Sequence, residues 1–176
     1  MDIFDVFSSR YSIRAFTDQP IRTEDLEKIL EAVNRAPSAG NRQAFEIYKV
    51  TGLDFKRALK KAAYDQEFIV QAPVVLVFCA SSTRSAERYG ERGETLYCIQ
   101  DATIACTYAM LAATALGFGT VWVGAFEEQE VAKIIHADPD HRPIAMLPIG
   151  YPNETPRIRP RRSLSEIVHP VGELKG

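Results

Sequence analysis

Arg10, Ser12 and Arg14 stand at alternate positions in the stretch Arg-Tyr-Ser-Ile-Arg-Ala-Phe of residues 10–16. In an extended backbone alternate side chains point the same way. Two guanidinium groups and a hydroxyl would then share one face, with Tyr11, Ile13 and Ala15 on the other. Guanidinium donors meet phosphate oxygens two at a time, so such a face suits a phosphate. A polar loop with two solvated arginines fits these seven positions as well, and on them alone it is the simpler reading. A second arginine cluster, Arg157, Arg159, Arg161 and Arg162, lies in a proline-containing tail. It lacks the interleaved aromatic residues that stack bases, so a local phosphate contact or a solvated tail explains it better than nucleic acid.

Other chemistries lack their motifs. Gly117-Phe118-Gly119 is followed by its third glycine only at Gly124, and it leads from a helix into a strand, the reverse of a dinucleotide fingerprint. There is no GxxxxGK[ST], HExxH or GxSxG pattern. His136, His141 and His169 have no partners at metal spacing and read as surface or turn histidines, so no metal site is expected. The three cysteines, Cys79, Cys98 and Cys106, form no CxxC pair, and Cys98 and Cys106 sit on an apolar stretch where a thiol acts as a small hydrophobe.

The elements that must position the arginines follow from pattern. Residues 3–7 read as a short amphipathic helix ending near Ser8 and Ser9. A second helix is expected from Thr23, taken as its N-cap, to Ala36 before Pro37, with Leu26, Ile29, Leu30 and Val33 on one face. The turn-rich loop 37–43 leads into a strand over 45–50 and a helix over 53–63. The unbroken apolar run 73–80 has strand length and predicts burial on both faces. Residues 81–94 carry balanced charge and read as a solvated helical excursion. The longest apolar helix spans 97–116, nearly apolar all round, with Gly117 at its C-terminal end. A strand over 120–123 ends at Gly124, a helix covers 127–136, and a last strand covers 144–149, where Pro148 suggests a bend or an edge position. At 176 residues, 46 % apolar and 25 % charged, the chain suits one domain, 1–176, that buries a core without staples. A formal charge of −2 gives no general pull toward nucleic acid or membrane. With Asp2 and Asp5 near the start and no apolar run of membrane length, the expected setting is cytoplasmic and reducing.

In order, these segments resemble the FMN-dependent nitroreductase family. The similarity is carried by Arg10-x-Ser12-x-Arg14-x-Phe16, by Arg35-Ala36-Pro37-Ser38-x-x-Asn41-x-Gln43 and by Ala72-Pro73-Val74-Val75. Asp101 then heads an Ala-rich helix running into Leu116-Gly117-Phe118-Gly119-Thr120-x-Trp122-Val123-Gly124, and Leu147-Pro148-Ile149-Gly150-Tyr151-Pro152 completes the pattern. The resemblance implies an α+β fold, a three-layer α-β-α sandwich with a mainly antiparallel central sheet. It also implies an intertwined homodimer whose C-terminal arm, 151–176, wraps the partner. FMN is the implied bound cofactor, NAD(P)H the co-substrate, and a nitroaromatic, quinone or related small molecule the acceptor, reached by ping-pong two-electron transfer. A dehalogenase or flavin-processing enzyme of the same fold, or a non-catalytic FMN-binding protein, remains an alternative.

Carried over residue by residue, the resemblance assigns Arg10 and Ser12, with Tyr11 beside them, to the phosphate and ribityl end. Arg14 goes to the pyrimidine side, where its charge would tune the flavin. Pro37, Ser38 and Asn41, flanked by Arg35 and Gln43, form the loop that meets the ring, expected to be the partner's. Val123 and Gly124 bring backbone donors near the isoalloxazine, and Arg161 or Arg162 closes the phosphate site. The chain departs from the family in Ala44-Phe45, where Pro-Trp is common, and an amide contact expected around Tyr64-Asp65-Gln66 has no assigned residue.

Overall fold

Strand pairing is organised by one wholly buried segment, Val74–Ser81 (β2). Its neighbours are Phe45–Val50 (β1) on one side and His141–Gly150 (β4) on the other, and the two-residue Gly119–Thr120 (β3) completes a sheet of order β1-β2-β4-β3. All three pairings are antiparallel. The structure is a computed structural model describing residues 2–172; residues 1 and 173–176 of the expected domain and arm lie outside it.

Alternation along β2 divides the core in two. Val75, Val77 and Cys79 pack against Leu59 of Leu53–Ala62 (α3), Ile69 of Phe68–Gln71 (α4) and Val131 of Glu128–Ile134 (α7). Val74, Leu76 and Phe78 face the other way, onto Ile29 and Val33 of Thr23–Asn34 (α2) and Ala105, Cys106, Ala109 and Ala113 of Cys98–Ala115 (α6). An apolar strand covered on both faces by helices gives the expected three layers. Ile3–Ser9 (α1), capped by Asp2, and Ser82–Arg92 (α5) lie outside this core.

Several boundaries differ from expectation. Thr23 is the first residue of α2 rather than its cap; the cap position is Arg22, whose guanidinium instead pairs with Asp25 at 2.7 Å. A π-helical turn, Gly93–Tyr97, replaces the expected start of α6. At the other end of α6 the Gly117 expectation holds: at φ +85° it lets the Phe118 N–H reach the Ala113 carbonyl at 2.9 Å.

The expected strand 120–123 is reduced to Gly119–Thr120 plus a bridge at Val123, and β4 is an interior strand, not an edge. One residue explains both. Met146 exchanges both backbone hydrogen bonds with Val123, at 2.9 Å each. Pro148, two residues on, faces the same way but has no N–H, so the ladder is interrupted beside it. The β2 side of β4 is unaffected, because there Pro148 needs no donor.

Asp140, just before β4, holds the start of α5. Its carboxylate accepts from the Ser81 hydroxyl at 2.6 Å, the Ser82 hydroxyl at 2.9 Å and the Thr83 N–H at 2.8 Å. Burial alone would raise its pKa; these donors outweigh it and bring the value down from 3.8 to about 2. A carboxyl depressed on folding contributes stability above its unfolded pKa and loses it as pH falls through the folded value. Wild type should therefore exceed Asp140→Asn by about 2 kcal/mol at pH 6, and the gap should close between about pH 4 and 2. Urea titrations at several pH values measure the gap; a gap that stays constant with pH would show that the Asp140 charge does not contribute it.

Candidate active site

The 10–16 segment is extended, as expected, and is gripped along both edges. Ser12 bridges Thr120 in parallel sense, and the Ile13 N–H donates to the Thr120 carbonyl at 2.9 Å. On the other edge Thr17 N–H reaches Tyr151 O at 3.0 Å, and Asn153 N–H reaches Ala15 O at 2.8 Å. The Glu154 carboxylate accepts the Arg14 N–H. Ile13 and Phe16 are buried, which anchors the segment. Gly119 makes this close approach possible, since a Cβ there would lie 2.9 Å from the Ile13 side chain.

So held, Arg10, Tyr11, Ser12 and Arg14 line one cavity of about 610 Å³ together with Glu154, Arg157, Arg159 and Arg161. Tyr11 belongs to it despite its expected place on the opposite face. Among the described residues none of these five guanidinium groups forms a hydrogen bond or ion pair with a protein side chain or carbonyl. Arg162 is excluded: its guanidinium donates to the Glu166 carbonyl at 2.7 Å, at the short helix Leu164–Ile167 (α8). Of the two tail arginines expected to close a phosphate site, only Arg161 reaches the cavity.

The 37–43 loop is built separately. Gly40, Asn41 and Gln43 all have left-handed backbone, with φ of +52°, +58° and +50°. Asparagine tolerates this; glutamine does so at a cost of about 1 kcal/mol or more. Hydrogen bonds hold the loop in that shape. Ser38 Oγ accepts the Gln43 N–H at 2.9 Å, and Arg84 donates to the Gln43 carbonyl at 2.9 Å. The buried Asp101 carboxylate, from the first turn of α6, accepts Ala39 N–H at 2.9 Å and Ala44 N–H at 3.4 Å. Gly40 also packs under Tyr89, whose hydroxyl leaves no room for an added Cβ.

Pro37 and Ser38 line an apolar groove of about 580 Å³ with Ala39, Tyr97, Ile99 and Ile104, while Asn41 faces a polar cleft beside Arg42 and Asp140. Neither space includes Arg10 or Ser12. Within one chain, then, Pro37, Ser38, Asn41 and Gln43 are not brought to the arginine cavity. Arg35 is the exposed C-cap of α2 and lines none of these spaces. Asp101 is the residue that sequence reasoning missed as a site component. Its signal was a lone carboxylate at the head of an otherwise apolar helix.

Val123 cannot supply the backbone donor expected of it, because its N–H is bonded to Met146 and the residue is buried. Gly124, exposed, follows it. The Tyr64–Gln66 turn closes on the same region: the Gln66 amide donates to Ala125 O at 3.3 Å and Ala63 O at 3.0 Å, and the Tyr64 hydroxyl to Glu127 at 2.7 Å. His141 also differs from its surface reading, since its Nδ1 lies 2.7 Å from the Tyr48 hydroxyl. All three cysteines are free and buried, and burial pushes Cys79 up to about 12 and raises Cys98 and Cys106. Such thiols are poor nucleophiles.

Comparison with known proteins agrees with this architecture. The Nitroreductase family model matches residues 7–151. The FMN reductase (NAD(P)H) of Bacillus subtilis strain 168 is 33 % identical over 171 residues, covering 90 % of this chain and 69 % of the relative. Among solved structures, B. megaterium NfrA2 superposes with a TM-score of 0.89 at 28 % identity, covering 99 % of this chain and 78 % of that one. The NADPH:FMN oxidoreductase from Vibrio harveyi complexed with NAD+ gives 0.89 at 25 % identity, covering 98 % and 78 %. A family model matching residues 7–151, with a solved structure superposing over 99 % of the chain, places this protein in the nitroreductase family.

Proposed function

We propose that the chain is an NAD(P)H-dependent FMN oxidoreductase, acting as a homodimer on nitroaromatic, quinone or related acceptors. The observation that carries this reading is the arginine cavity: Ser12 and five arginines line it, and among the described residues no protein anion pairs with those guanidinium groups. Unpaired like charges held this close repel, so the arrangement favours a bound phosphate. The residues present therefore fit the FMN phosphate, with Arg10, Ser12 and Arg161 as its holders. A flavin held there would supply two-electron redox chemistry between NAD(P)H and a second substrate, in ping-pong order.

The protein's own part is to bind, orient and bias. Arg14 is the tuning residue. At ~4 Å and an effective dielectric near 20, its charge would favour the reduced, anionic ring by roughly 4 kcal/mol. Its exposure reduces that to about 2 kcal/mol, equivalent to about 40 mV for a two-electron couple. Arg14→Ala should lower the bound-flavin potential by that amount, measured by equilibration with reference dyes; an unchanged potential removes Arg14 from this role.

Dimerisation would bring the 37–43 loop of one subunit to the cavity of the other. Apolar surface for it is exposed on α1, where Phe4 is 77 % and Phe7 54 % accessible, and on the arm, at Ile158, Leu164 and Val168. The expectation of one domain over 1–176, with 151–176 as a wrapping arm, belongs to this proposal, as does a reducing, cytoplasmic setting suited to free thiols. No described helix is long and apolar enough to cross a membrane. Steady-state kinetics with both substrates varied, alongside product analysis on nitroaromatic, quinone and halotyrosine substrates, tests the reading. Parallel double-reciprocal lines with nitroaromatics or quinones support it. Dehalogenation or flavin breakdown replaces it by the related chemistries, and no turnover by a binding role.

A further inference from the structure

Helix α5 has little apolar surface to hold it: of its residues only Ser85 is buried, and Gly90, at φ +54°, breaks it before its end. Its attachments are polar. Asp140 holds its start, and its middle is tied to the 37–43 loop by two arginines that exchange bonds. The Arg42 guanidinium donates from Nε to the Arg84 carbonyl at 3.1 Å and pairs with Glu87. In return the Arg84 guanidinium donates to the Gln43 carbonyl at 2.9 Å and to the Glu46 carboxylate on β1. Each arginine therefore bonds the main chain beside the other. A solvated patch of paired charges accounts for the two carboxylate contacts, which are partly exposed and worth little. It does not account for the two carbonyl contacts, which are charge-assisted bonds that fix backbone geometry. The Gln43 carbonyl also accepts the Phe45 N–H at 2.8 Å, and Ser38 Oγ holds the Gln43 N–H, so both peptide groups of this left-handed residue are fixed.

We propose that Arg42 and Arg84 form a reciprocal clasp by which α5 positions the flavin-facing loop. Both are then positioning residues, although neither lines the arginine cavity. The inference rests on the FMN reading above and adds the helix that sets the loop's shape. Asp101 anchors Ala39 and Ala44 from α6, whereas the clasp acts between them, on the residue that carries the strain. A non-glycine residue at φ +50° relaxes when its partners are removed. Without the clasp the strained and relaxed forms become comparably populated, and FMN has to select the first. The same helix also covers Gly40, where the Tyr89 hydroxyl and the Arg88 guanidinium close over the backbone.

Amide hydrogen exchange of the full chain, followed residue by residue, together with FMN titration, tests the clasp without turnover. In Arg84→Ala the Gln43 and Ala44 amides should exchange about tenfold faster or more, with those of α2 and β2 unchanged. FMN should bind about three- to fivefold more weakly, and the visible circular dichroism of the bound flavin should differ from wild type. Arg84→Lys should recover part of each change, because an ammonium reaches the carbonyl but does not fork to Glu46 as well. Combining Arg42→Ala with Arg84→Ala should accelerate loop exchange by less than the product of the single effects, since each bond holds the other's partner in place. Wild-type exchange rates in the Arg84→Ala loop, an acceleration shared equally with α2 and β2, or independent single effects overturn the proposal. A loosened loop with unaltered FMN affinity and circular dichroism overturns it too. Wild type that binds no FMN contradicts the preceding reading and removes the flavin role with it, while loop exchange still decides the clasp.

Discussion

Replacing Asp101 with alanine should cost about 3–5 kcal/mol and lower the melting temperature by roughly 10 °C. The carboxylate is 2 % exposed and is the shared acceptor for the N–H groups of Ala39 and Ala44, at the two ends of the left-handed loop. Removing it leaves two donors without an acceptor and loosens the left-handed run of Gly40, Asn41 and Gln43, of which Gln43 holds that conformation at a cost. Asp101→Asn keeps one acceptor oxygen but turns an NH2 group toward the other donor, so its cost should be intermediate. Because the loop is proposed to meet the flavin of the partner subunit, both variants should also lose FMN affinity. Thermal denaturation with and without added FMN separates the two effects. A melting temperature within about 1 °C of wild type would show that the loop is held by something else.

Arg10→Ala should weaken FMN binding by about 10- to 100-fold, the loss expected for one bidentate charge-assisted contact to a phosphate. Lysine should recover only part of it, since a single ammonium cannot reproduce the planar fork. Ser12→Ala should be milder, at a few-fold. Arg162→Ala, lying outside the cavity, should change affinity by less than about twofold. Fluorescence titration of the apoprotein with FMN at fixed salt measures all four. Should Arg10→Ala and Arg162→Ala behave alike, the cavity is not the phosphate site.

The fold was readable where local pattern and tertiary context agree. The apolar run of β2 announced burial on both faces, and its alternation is what sorts the two core layers. Arg10, Ser12 and Arg14 were readable as a set because alternation is a local property. Pro148 shows the limit: its missing N–H was visible, but on which side of β4 that gap would fall depended on a pairing between residues far apart in the chain. The same holds for Val123, whose donor is spent on Met146, and for Arg161 and Arg162, which are adjacent in sequence and face different partners. Asp101 was hidden for a related reason, since a helix-start aspartate is ordinary until the loop it holds, some 60 positions earlier, is folded against it.

Whether the arginine cavity serves a flavin reduced by NAD(P)H can be read from the visible spectrum of the FMN-reconstituted protein during anaerobic addition of NADPH. Flavin bands should stay with the protein through gel filtration, bleach on addition of the reductant and return when a quinone or nitroaromatic is admitted. Protein that carries no flavin bands after reconstitution, or whose bands persist unchanged under excess NADPH and NADH, would contradict that role.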